Sequence, residues 1–317
     1  MDNDSDSDTQ QILARYSKIT HKEISDGNVP FQHFSVHRLD HNIGYAGALN
    51  TAISLVETPF MAWLNDDAVP DPLWLSTLET TLSSHPEAAA VSSHLVNPDG
   101  ATQSLGVYLT TDGHGRDMSA EMSDRAKSDT EPSETSEGTT APFGFCGGAA
   151  LLRTQALRSL GGVPATYFCY YEDTDTSWRL RLAGWNILTE PRARVLHDHG
   201  SSTILNSTPF HLWNERNRLL MLLRCAPASV ALHQLARFIA LTLVLPFRAL
   251  LSRAKKLWRT EKSFPSGSQP GNFRFALRIR VLFEVFFRLV KTLGQRRRIT
   301  AQSTLNRGEL WRRWAGH

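Results

Sequence analysis

The sequence predicts an α/β fold, a mostly parallel sheet with flanking helices, followed by a helical, basic C-terminal extension. In the first 110 residues, short apolar runs alternate with helical patterns, an alternation typical of a parallel sheet covered by helices on both faces. Residues 226–317 contain 18 Lys and Arg against 3 Asp and Glu, or +15, whereas residues 1–225 contain 16 against 28, or −12. We therefore expect one domain over residues 1–225 and a different role for residues 226–317.

The order of the first elements follows from apolar periodicity. The predicted strands and helix are, in chain order, residues 34–39 (strand), 47–56 (helix), 60–64 (strand) and 88–96 (strand). Asp71 as N-cap and Pro72 at the first helical position open a further helix, which runs to about Ser83. The strand at 60–64 ends directly in Asn65-Asp66-Asp67. Because parallel sheets bind ligands beyond the carboxyl ends of their strands, this triplet is the first candidate site.

The second half of the predicted domain begins with an insertion. Residues 112–140 are rich in Ser, Thr, Asp, Glu and Gly and nearly lack large apolar side chains, so we expect them to be a flexible surface segment. Order should resume at residues 143–152, where Gly147 and Gly148 let the backbone pass close to a ligand or another chain. A helix over residues 174–183, ended by Gly184, precedes short strands at 185–188 and 194–196.

The C-terminal part is predicted to be helical after Pro209, apart from a linker at residues 264–272. Residues 226–251 include His233, Arg237, Pro246 and Arg248, whereas a bilayer span needs roughly 20 mainly apolar residues, so no span is expected. Residues 273–293 combine an apolar side with basic residues elsewhere, as in a helix that lies in the membrane interface. The apolar side contains Phe275, Leu282, Phe286 and Leu289. We expect residues 226–317 to bind an anionic membrane surface.

Composition also excludes several classes of protein. The three cysteines show no paired or zinc-like spacing, so neither a disulfide framework nor a thiolate metal site is expected. The N-terminal segment is acidic and polar where a secretory signal needs a positive flank and an apolar stretch. The basic residues alternate with bulky apolar ones and form no nucleic-acid-binding motif, so nucleic acid is not an expected partner. We expect a cytoplasmic protein, peripheral at the inner face of the cell membrane.

Acidic residues are unusually dense at two places. Glu172, Asp173 and Asp175 form one group, and Asn65-Asp66-Asp67 forms the other, with His197 just downstream. Such groups repel one another unless a cation, a phosphate or a proton-transfer task offsets the repulsion. Taken singly, each signal has an ordinary alternative: a turn for the triplet, a helix cap for the acidic pair and a polar surface residue for the histidine. Together they favour an active site.

Seven segments stand in an order known from one enzyme family. They are Asp2-Asn3-x-Ser5, NIGYAGALN at 42–50, LNDD at 64–67, GGAALLR at 147–153, the segment from Tyr171 through Arg179-Leu180 to Ala183-Gly184-Trp185, PRARVLH at 191–197 and Arg216-Asn217. On these motifs, residues 1 to about 225 resemble glycosyltransferase family 2 enzymes of the GT-A fold, particularly the rhamnosyl- and galactofuranosyl-transferase-like members. The resemblance implies the GT-A nucleotide-diphospho-sugar transferase fold.

The resemblance also implies a reaction and its residues. A dTDP- or UDP-sugar would donate its sugar, with inversion, to an envelope glycan or glycolipid acceptor. A divalent metal, Mn²⁺ or Mg²⁺, would be held by Asp67 and His197 and stabilise charge on the leaving diphosphate. Asp173 would be the general base and Glu172 an acceptor-orienting acid. The implied donor-binding residues are Asp2, Asn42, Gly44, Asn65 and Asp66. The implied acceptor-side residues are Gly147, Gly148, Trp178 and Trp185, although core packing is the favoured role for both tryptophans.

The pattern departs from the family at its start. Family members begin with an apolar strand and a helix that precede the V-D-N-x-S segment, and here Met1 takes the place of the last strand residue. The expected fold is therefore an N-terminally truncated GT-A domain. The alternative of a different class is a non-catalytic, membrane-associated remnant that binds a nucleotide sugar or a protein partner.

Overall fold

The computed structural model describes residues 1–16, 35–119, 141–198, 207–258 and 274–315, and residues 248–258 by their backbone alone. The helices are α1 (Ser7–Tyr16), α2 (Tyr45–Leu55), α3 (Trp74–Ser84), α4 (Thr154–Ser159), α5 (Glu172–Leu182), α6 (Thr208–Cys225), α7 (Ala228–Trp258), α8 (Phe275–Gln302) and α9 (Arg307–Trp314). The strands are β1 (Phe60–Leu64), β2 (Ala68–Pro70), β3 (Ala88–Val96), β4 (Thr102–Ser104), β5 (Val107–Leu109), β6 (Gly115–Asp117), β7 (Ala149–Arg153) and β8 (Asn186–His197).

The main sheet has the strand order β1-β7-β3-β8-β2, with β4 added to β3. Among the described strands, only β3 and β8 pair in parallel, and the other pairings are antiparallel. The sheet is therefore mixed, where the sequence predicted it to be mostly parallel, because β7 runs in the opposite direction between β1 and β3. The strands β1, β3 and β8 still point the same way, so their carboxyl ends meet at one edge.

Several predicted elements differ from the observed ones. Of the predicted strand at 34–39, Phe34 lies outside the described residues, and the rest forms only a single bridge, between Arg38 and Asp2. The two short strands at 185–188 and 194–196 are one strand, β8, with a register irregularity against β3. Helix α3 starts at Trp74 with Leu73 as its N-cap residue, not at Asp71. The predicted insertion contains β6, which pairs with β5, and its residues 120–140 lie outside the described part of the chain.

Both faces of the sheet are buried, since alternate residues of each strand point to opposite sides. On one face, Leu152 and Ala90 pack with residues of α2, α4 and α5. On the other face, Leu151 and Val91 pack with residues of α3. This layered arrangement of helix, sheet and helix fixes where the strand ends lie and confirms the predicted fold class.

The C-terminal helices pack against the sheet domain through α5 and α6. A third apolar cluster joins Trp178 of α5 and Leu220 of α6 to Val281 of α8 and Leu310 of α9. The indole of Trp311 stacks on that of Trp178, with ring centroids 5.8 Å apart. The C-terminal extension, which was expected to have a separate role, therefore covers the outer side of helix α5.

Exposed apolar side chains remain on the outer surfaces of α7 and α8. Leu232, Leu243 and Phe247 of α7 are 58–67% exposed, and Phe286 and Phe287 of α8 are 68% and 77% exposed. Within the described residues, Ala228–Phe247 is the one helical segment long and apolar enough to cross a membrane, and about a fifth of it is buried.

Candidate active site

The predicted site residues gather at the edge where β1, β3 and β8 end. Asn65, Asp66 and Asp67 follow β1 directly, and His197 is the last residue of β8. Because β7 runs the other way, its first residues reach the same edge, preceded by Gly147 and Gly148. The Asn65 amide donates a hydrogen bond of 3.0 Å to the Gly148 carbonyl. Residues more than 130 positions apart thus meet in one place.

Asp67 and His197 form the centre of this edge. Strand β2 pairs with the end of β8 so that Ala68 lies opposite His197, which brings Asp67 Oδ1 to 3.1 Å from His197 Nε2. The Nδ1 atom lies 3.0 Å from Gln103 Oε1. A carbonyl oxygen only accepts, so Nδ1 carries the hydrogen and Nε2 is turned toward Asp67. Both side chains are at least nine-tenths buried.

This donor set fits a divalent cation that also binds a substrate phosphate. Imidazole and carboxylate are ligands for Mn²⁺, and a ligating histidine commonly donates its other N–H to an oxygen, as His197 does to Gln103. No group of three or more His, Cys, Asp or Glu side chains converges on a cation site in the part of the chain described. Asp67 and His197 would hold such a cation with two protein ligands and would leave its other positions to oxygen atoms of the substrate and water.

The paired glycines lie between the Asp67–His197 pair and the acidic pair. A Cβ atom at Gly147 would stand 3.3 Å from Asp173 Cβ and Oδ2, and one at Gly148 would stand 3.7 Å from His197 Nε2. The Gly147 amide donates a hydrogen bond of 3.0 Å to Asp173 Oδ2. The backbone thus connects the two predicted groups in one site, and the absence of side chains keeps them this close.

Glu172 and Asp173 start helix α5 and differ in their surroundings. Asp173 accepts hydrogen bonds from Gly147, from the Thr174 amide and from the Thr174 hydroxyl, although burial raises the pKa of its carboxyl. Glu172 is 6% exposed, and its Oε2 has no hydrogen-bond partner among the described residues. Burial, followed by the charge of Asp173, raises the pKa of Glu172 to about 8. Burial thus favours the neutral form of Glu172, whereas the three hydrogen bonds to Asp173 favour its ionised form.

Three predicted donor-binding residues form a second group beside α2. The Asp2 carboxylate is buried, accepts a bond from Ser5 N and pairs with Arg38 at 2.7 Å. Asn42 Oδ1 accepts from the Gly44 amide at 2.9 Å and from Asn3 Nδ2 at 3.1 Å. Gly44 has φ of +79°, and a Cβ there would stand 2.5 Å from the Phe168 carbonyl oxygen. This close approach links the group to the loop before Glu172.

Two further site residues had no predicted role. Gln103, on β4, orients His197 through a hydrogen bond to Nδ1. In the sequence, the signal for this role is no more than a polar side chain in a short strand. Tyr45, the first residue of α2, donates its hydroxyl hydrogen to the Gly147 carbonyl at 3.0 Å. Burial and the nearby acidic pair raise the pKa of Tyr45, so it remains a hydrogen-bond donor at neutral pH.

Four of the predicted site residues stand apart from these groups or lie outside the described part of the chain. Trp178 is fully buried between Phe143 and Trp311, so it is a core residue and offers no face to an acceptor. Trp185 lies beyond the C-terminal end of α5, whose last residue, Leu182, is about 15 Å along the helix axis from Glu172 at 1.5 Å per residue. Asp66 is exposed at the turn after β1, and its role toward the donor stays a prediction. His199, the alternative ligand to His197, lies outside the described residues.

Comparison with known proteins identifies related sequences. The family model described as Glycosyl transferase family 2 matches residues 1–161. N-acetylglucosaminyl-diphospho-decaprenol L-rhamnosyltransferase of Mycobacterium tuberculosis is 29% identical over 178 residues, which cover 51% of this chain and 58% of that protein. Pre-mycofactocin glycosyltransferase of the same organism is 30% identical over 159 residues, covering 50% of this chain and 31% of that protein. The chain thus spans less than two thirds of either relative.

A solved structure shares the fold. The crystal structure of GalNAc-T7 with UDP, GalNAc and Mn²⁺ superposes with a TM-score of 0.55 at 12% sequence identity, covering 92% of this chain and 50% of that one. At this identity the likeness shows the fold alone. It confirms the predicted GT-A fold.

Proposed function

The chain belongs to glycosyl transferase family 2, and from that premise we propose that it moves a sugar, with inversion, from a nucleoside diphosphate to a glycan or glycolipid acceptor. The observation that carries the proposal is the pair Gly147-Gly148, which touches Asp173 on one side and His197 on the other. A leaving diphosphate and an attacking hydroxyl need binding groups on opposite sides of one sugar. The site offers one set of groups on each side of the glycines.

Asp67 and His197 are proposed to bind a divalent cation, which would in turn bind the donor diphosphate. When bound, the cation supplies a Lewis acid for the charge that develops on the β-phosphate. Asp67 contributes a carboxylate oxygen, and His197 contributes Nε2, held in position by its bond to Gln103. Asp2, Asn42 and Gly44 are the proposed wall for the nucleoside, since they line the start of α2 next to the same edge. Asn65 remains a candidate because its buried Oδ1 has no hydrogen-bond partner in the part of the chain that the structure describes.

Asp173 is the proposed general base. The acceptor hydroxyl loses its proton to Asp173 as its oxygen forms a bond to the anomeric carbon, and the bond from that carbon to the diphosphate oxygen breaks. The Gly147 and Thr174 hydrogen bonds favour the ionised form of Asp173 beside a protonated Glu172. Glu172 then donates a hydrogen bond to an acceptor oxygen, which orients the acceptor without competing for its proton.

The relatives suggest the substrate class. One is named for rhamnosyl transfer to a lipid-linked diphospho-sugar, and we extend to this chain a dTDP- or UDP-sugar donor and a glycan or glycolipid acceptor. Mn²⁺ or Mg²⁺ is the proposed cation, in keeping with the oxygen and imidazole ligands of the site.

Residues 226–317 are the proposed membrane-associating part. Exposed apolar side chains on α7 and α8 stand beside exposed cations such as Arg237 and Arg280. Apolar insertion combined with basic charge is the composition that binds anionic lipid at the interface. We propose a peripheral position at the cytoplasmic face of the cell membrane, where a lipid-linked acceptor would be within reach.

A donor screen tests the proposal. The protein is mixed with dTDP-rhamnose, UDP-galactofuranose, UDP-glucose or UDP-N-acetylglucosamine, a lipid-linked acceptor and Mn²⁺, and release of nucleoside diphosphate is followed. The expected result is acceptor-dependent release with one donor, which chelation of the metal abolishes. Donor binding without release in any combination would instead identify a non-catalytic, nucleotide-sugar-binding remnant.

A further inference from the structure

The loop that leads into the acidic pair has an unusual backbone. Phe168, Tyr170 and Tyr171 have φ values of +68°, +70° and +70°, and none of them is glycine. The Cys169 amide donates to the Tyr167 carbonyl at 2.9 Å, which closes a three-residue turn around Phe168. Aromatic residues adopt this left-handed region only when surrounding contacts enforce it. The loop therefore needs an external support.

The side chain of Asn217, on α6, provides this support. It is fully buried, and its Nδ2 lies 3.1 Å from the Tyr167 carbonyl oxygen and 2.8 Å from those of Cys169 and Tyr170. A single amide group thus contacts three carbonyls of one loop. These carbonyls converge because of the left-handed backbone, so the side chain and the loop conformation stabilise each other.

A second pair of side chains fixes the orientation of Asn217. Arg216 Nε donates to Asn217 Oδ1 at 2.9 Å, which turns the Nδ2 atom toward the loop. Arg216 Nη2 also donates to the Tyr167 carbonyl, and its Nη1 pairs with Glu284 of α8 at 2.8 Å. Glu284, Arg216 and Asn217 form a continuous chain of hydrogen bonds from α8 to the loop.

The loop connects both sides of the site. The Phe168 carbonyl accepts from the Ala46 amide at 3.0 Å, beside Gly44 on the proposed nucleoside side. At its other end, Tyr171 immediately precedes Glu172 and Asp173. A shift of the loop would therefore move the general base relative to the donor.

We propose that Asn217 is the positioning residue of the acidic pair, with Arg216 and Glu284 orienting its amide. Asn217 touches no reacting atom and acts through the carbonyls of Tyr167, Cys169 and Tyr170. This role rests on the proposed function, in which Asp173 is the base.

The test compares Asn217→Ala with Asn214→Ala in the full chain. Asn214 is a matched control on the same helix, because its Nδ2 donates to the Phe210 carbonyl of its own helix and, within the described residues, to no residue of the loop. Hydrogen exchange of the peptide covering residues 167–175 is measured beside that of β3, and kcat and donor KM are measured with the donor found active. Asn217→Ala should exchange faster in 167–175 alone and lose roughly 10²-fold in kcat, the scale of a misplaced catalytic group, with donor KM within about threefold of wild type.

If Asn217→Ala does not fold, Glu284→Gln provides a second test of the proposal. It weakens the Arg216 contact at a partly exposed position, and it should change exchange of residues 167–175 and kcat in the same direction by a smaller factor. Unchanged exchange in 167–175 in a folded Asn217→Ala protein, or faster exchange throughout the chain, would overturn the proposal, as would a kcat equal to that of Asn214→Ala. A wild-type protein without transfer activity would contradict the proposed function, and the exchange comparison would still decide the role of Asn217.

Discussion

The buried, protonated Glu172 makes a quantitative prediction about folding stability. Its folded pKa of about 8 exceeds the ordinary value of 4.5, so between these pH values the folded state binds more protons than the unfolded state. The sign follows from linkage: stability from this group is complete below pH 4.5 and is lost as the pH rises toward 8. Substitution Glu172→Gln removes the titration while keeping the size of the side chain.

The size of the effect follows from the same two pKa values. One pKa unit corresponds to about 1.4 kcal/mol, so a folded pKa near 8 contributes a few kcal/mol between pH 5 and pH 8. The free energy of unfolding of the wild type should therefore fall by roughly 3 kcal/mol more than that of Glu172→Gln over this interval. The absolute stability of the variant also reflects its buried amide, so the comparison uses the change with pH.

Urea unfolding at pH 5 and pH 8, followed by tryptophan fluorescence without added metal, measures this difference. Glu79→Gln is the control, because Glu79 is an exposed residue of α3. Its unfolding free energy should change with pH as that of the wild type does. A Glu172→Gln protein whose stability also falls in parallel with the wild type would refute the assignment of a protonated Glu172.

Three further predictions concern catalysis, site packing and membrane binding. Asp173→Asn should reduce turnover by roughly 10²-fold or more with donor affinity nearly preserved, and near-normal turnover would move the base to Glu172 or Asp175. Gly147→Ala should also reduce turnover, because the added Cβ would stand 3.3 Å from Asp173. Turnover equal to that of the wild type would show that the Asp173 carboxylate can shift without loss of activity. The double variant Phe286→Ser, Phe287→Ser should lose binding to anionic vesicles in co-sedimentation, while Leu75→Ser on α3 keeps it, and wild-type binding should weaken with salt. Wild-type protein that ignores salt and resists carbonate extraction would mean that Ala228–Phe247 spans the membrane.

Motif spacing predicted the residues of the site better than it predicted their geometry. Asp67 and His197 were expected as partners through the family resemblance, whereas their 3.1 Å contact depends on β2 pairing with the end of β8. Strand β2 is three residues long and ends in Pro70, which is too short to give a periodic signal. The direction of β7 was likewise not predictable, because it depends on the path of residues 105–148.

The sequence favoured core packing for Trp178, but the burial of the whole helix around it was not predictable. Helix α5 has the sequence EDTDTSWRLRL, which reads as polar, yet ten of its eleven residues are buried. Its charges are satisfied inside the protein: Asp175 pairs with Arg179 at 2.7 Å and with Arg224 at 3.3 Å. Such long-range pairing has no local signature, so the sequence does not show which residues cover the polar side chains of this helix.

The amphipathic character of α8 was predicted, but its buried face was not. The predicted apolar side contains Phe275, Leu282, Phe286 and Leu289. The fully buried apolar residues of the helix include Leu277, Val281 and Val285. The helix has apolar residues on two sides, and only the packing of α6 decides which side is covered. Phe286 and Phe287 are left at the surface as a result.

The most direct test of the account is a calorimetric titration of UDP and dTDP into the protein with and without Mn²⁺. The wild type should bind one of these nucleotides tightly only with the metal. Asp67→Ala and His197→Ala should each abolish the metal-dependent part, and Asp71→Ala, an exposed acidic residue before α3, should bind as the wild type does. Metal-dependent binding that survives in both site variants would contradict the assignment of Asp67 and His197, and with it the central claim.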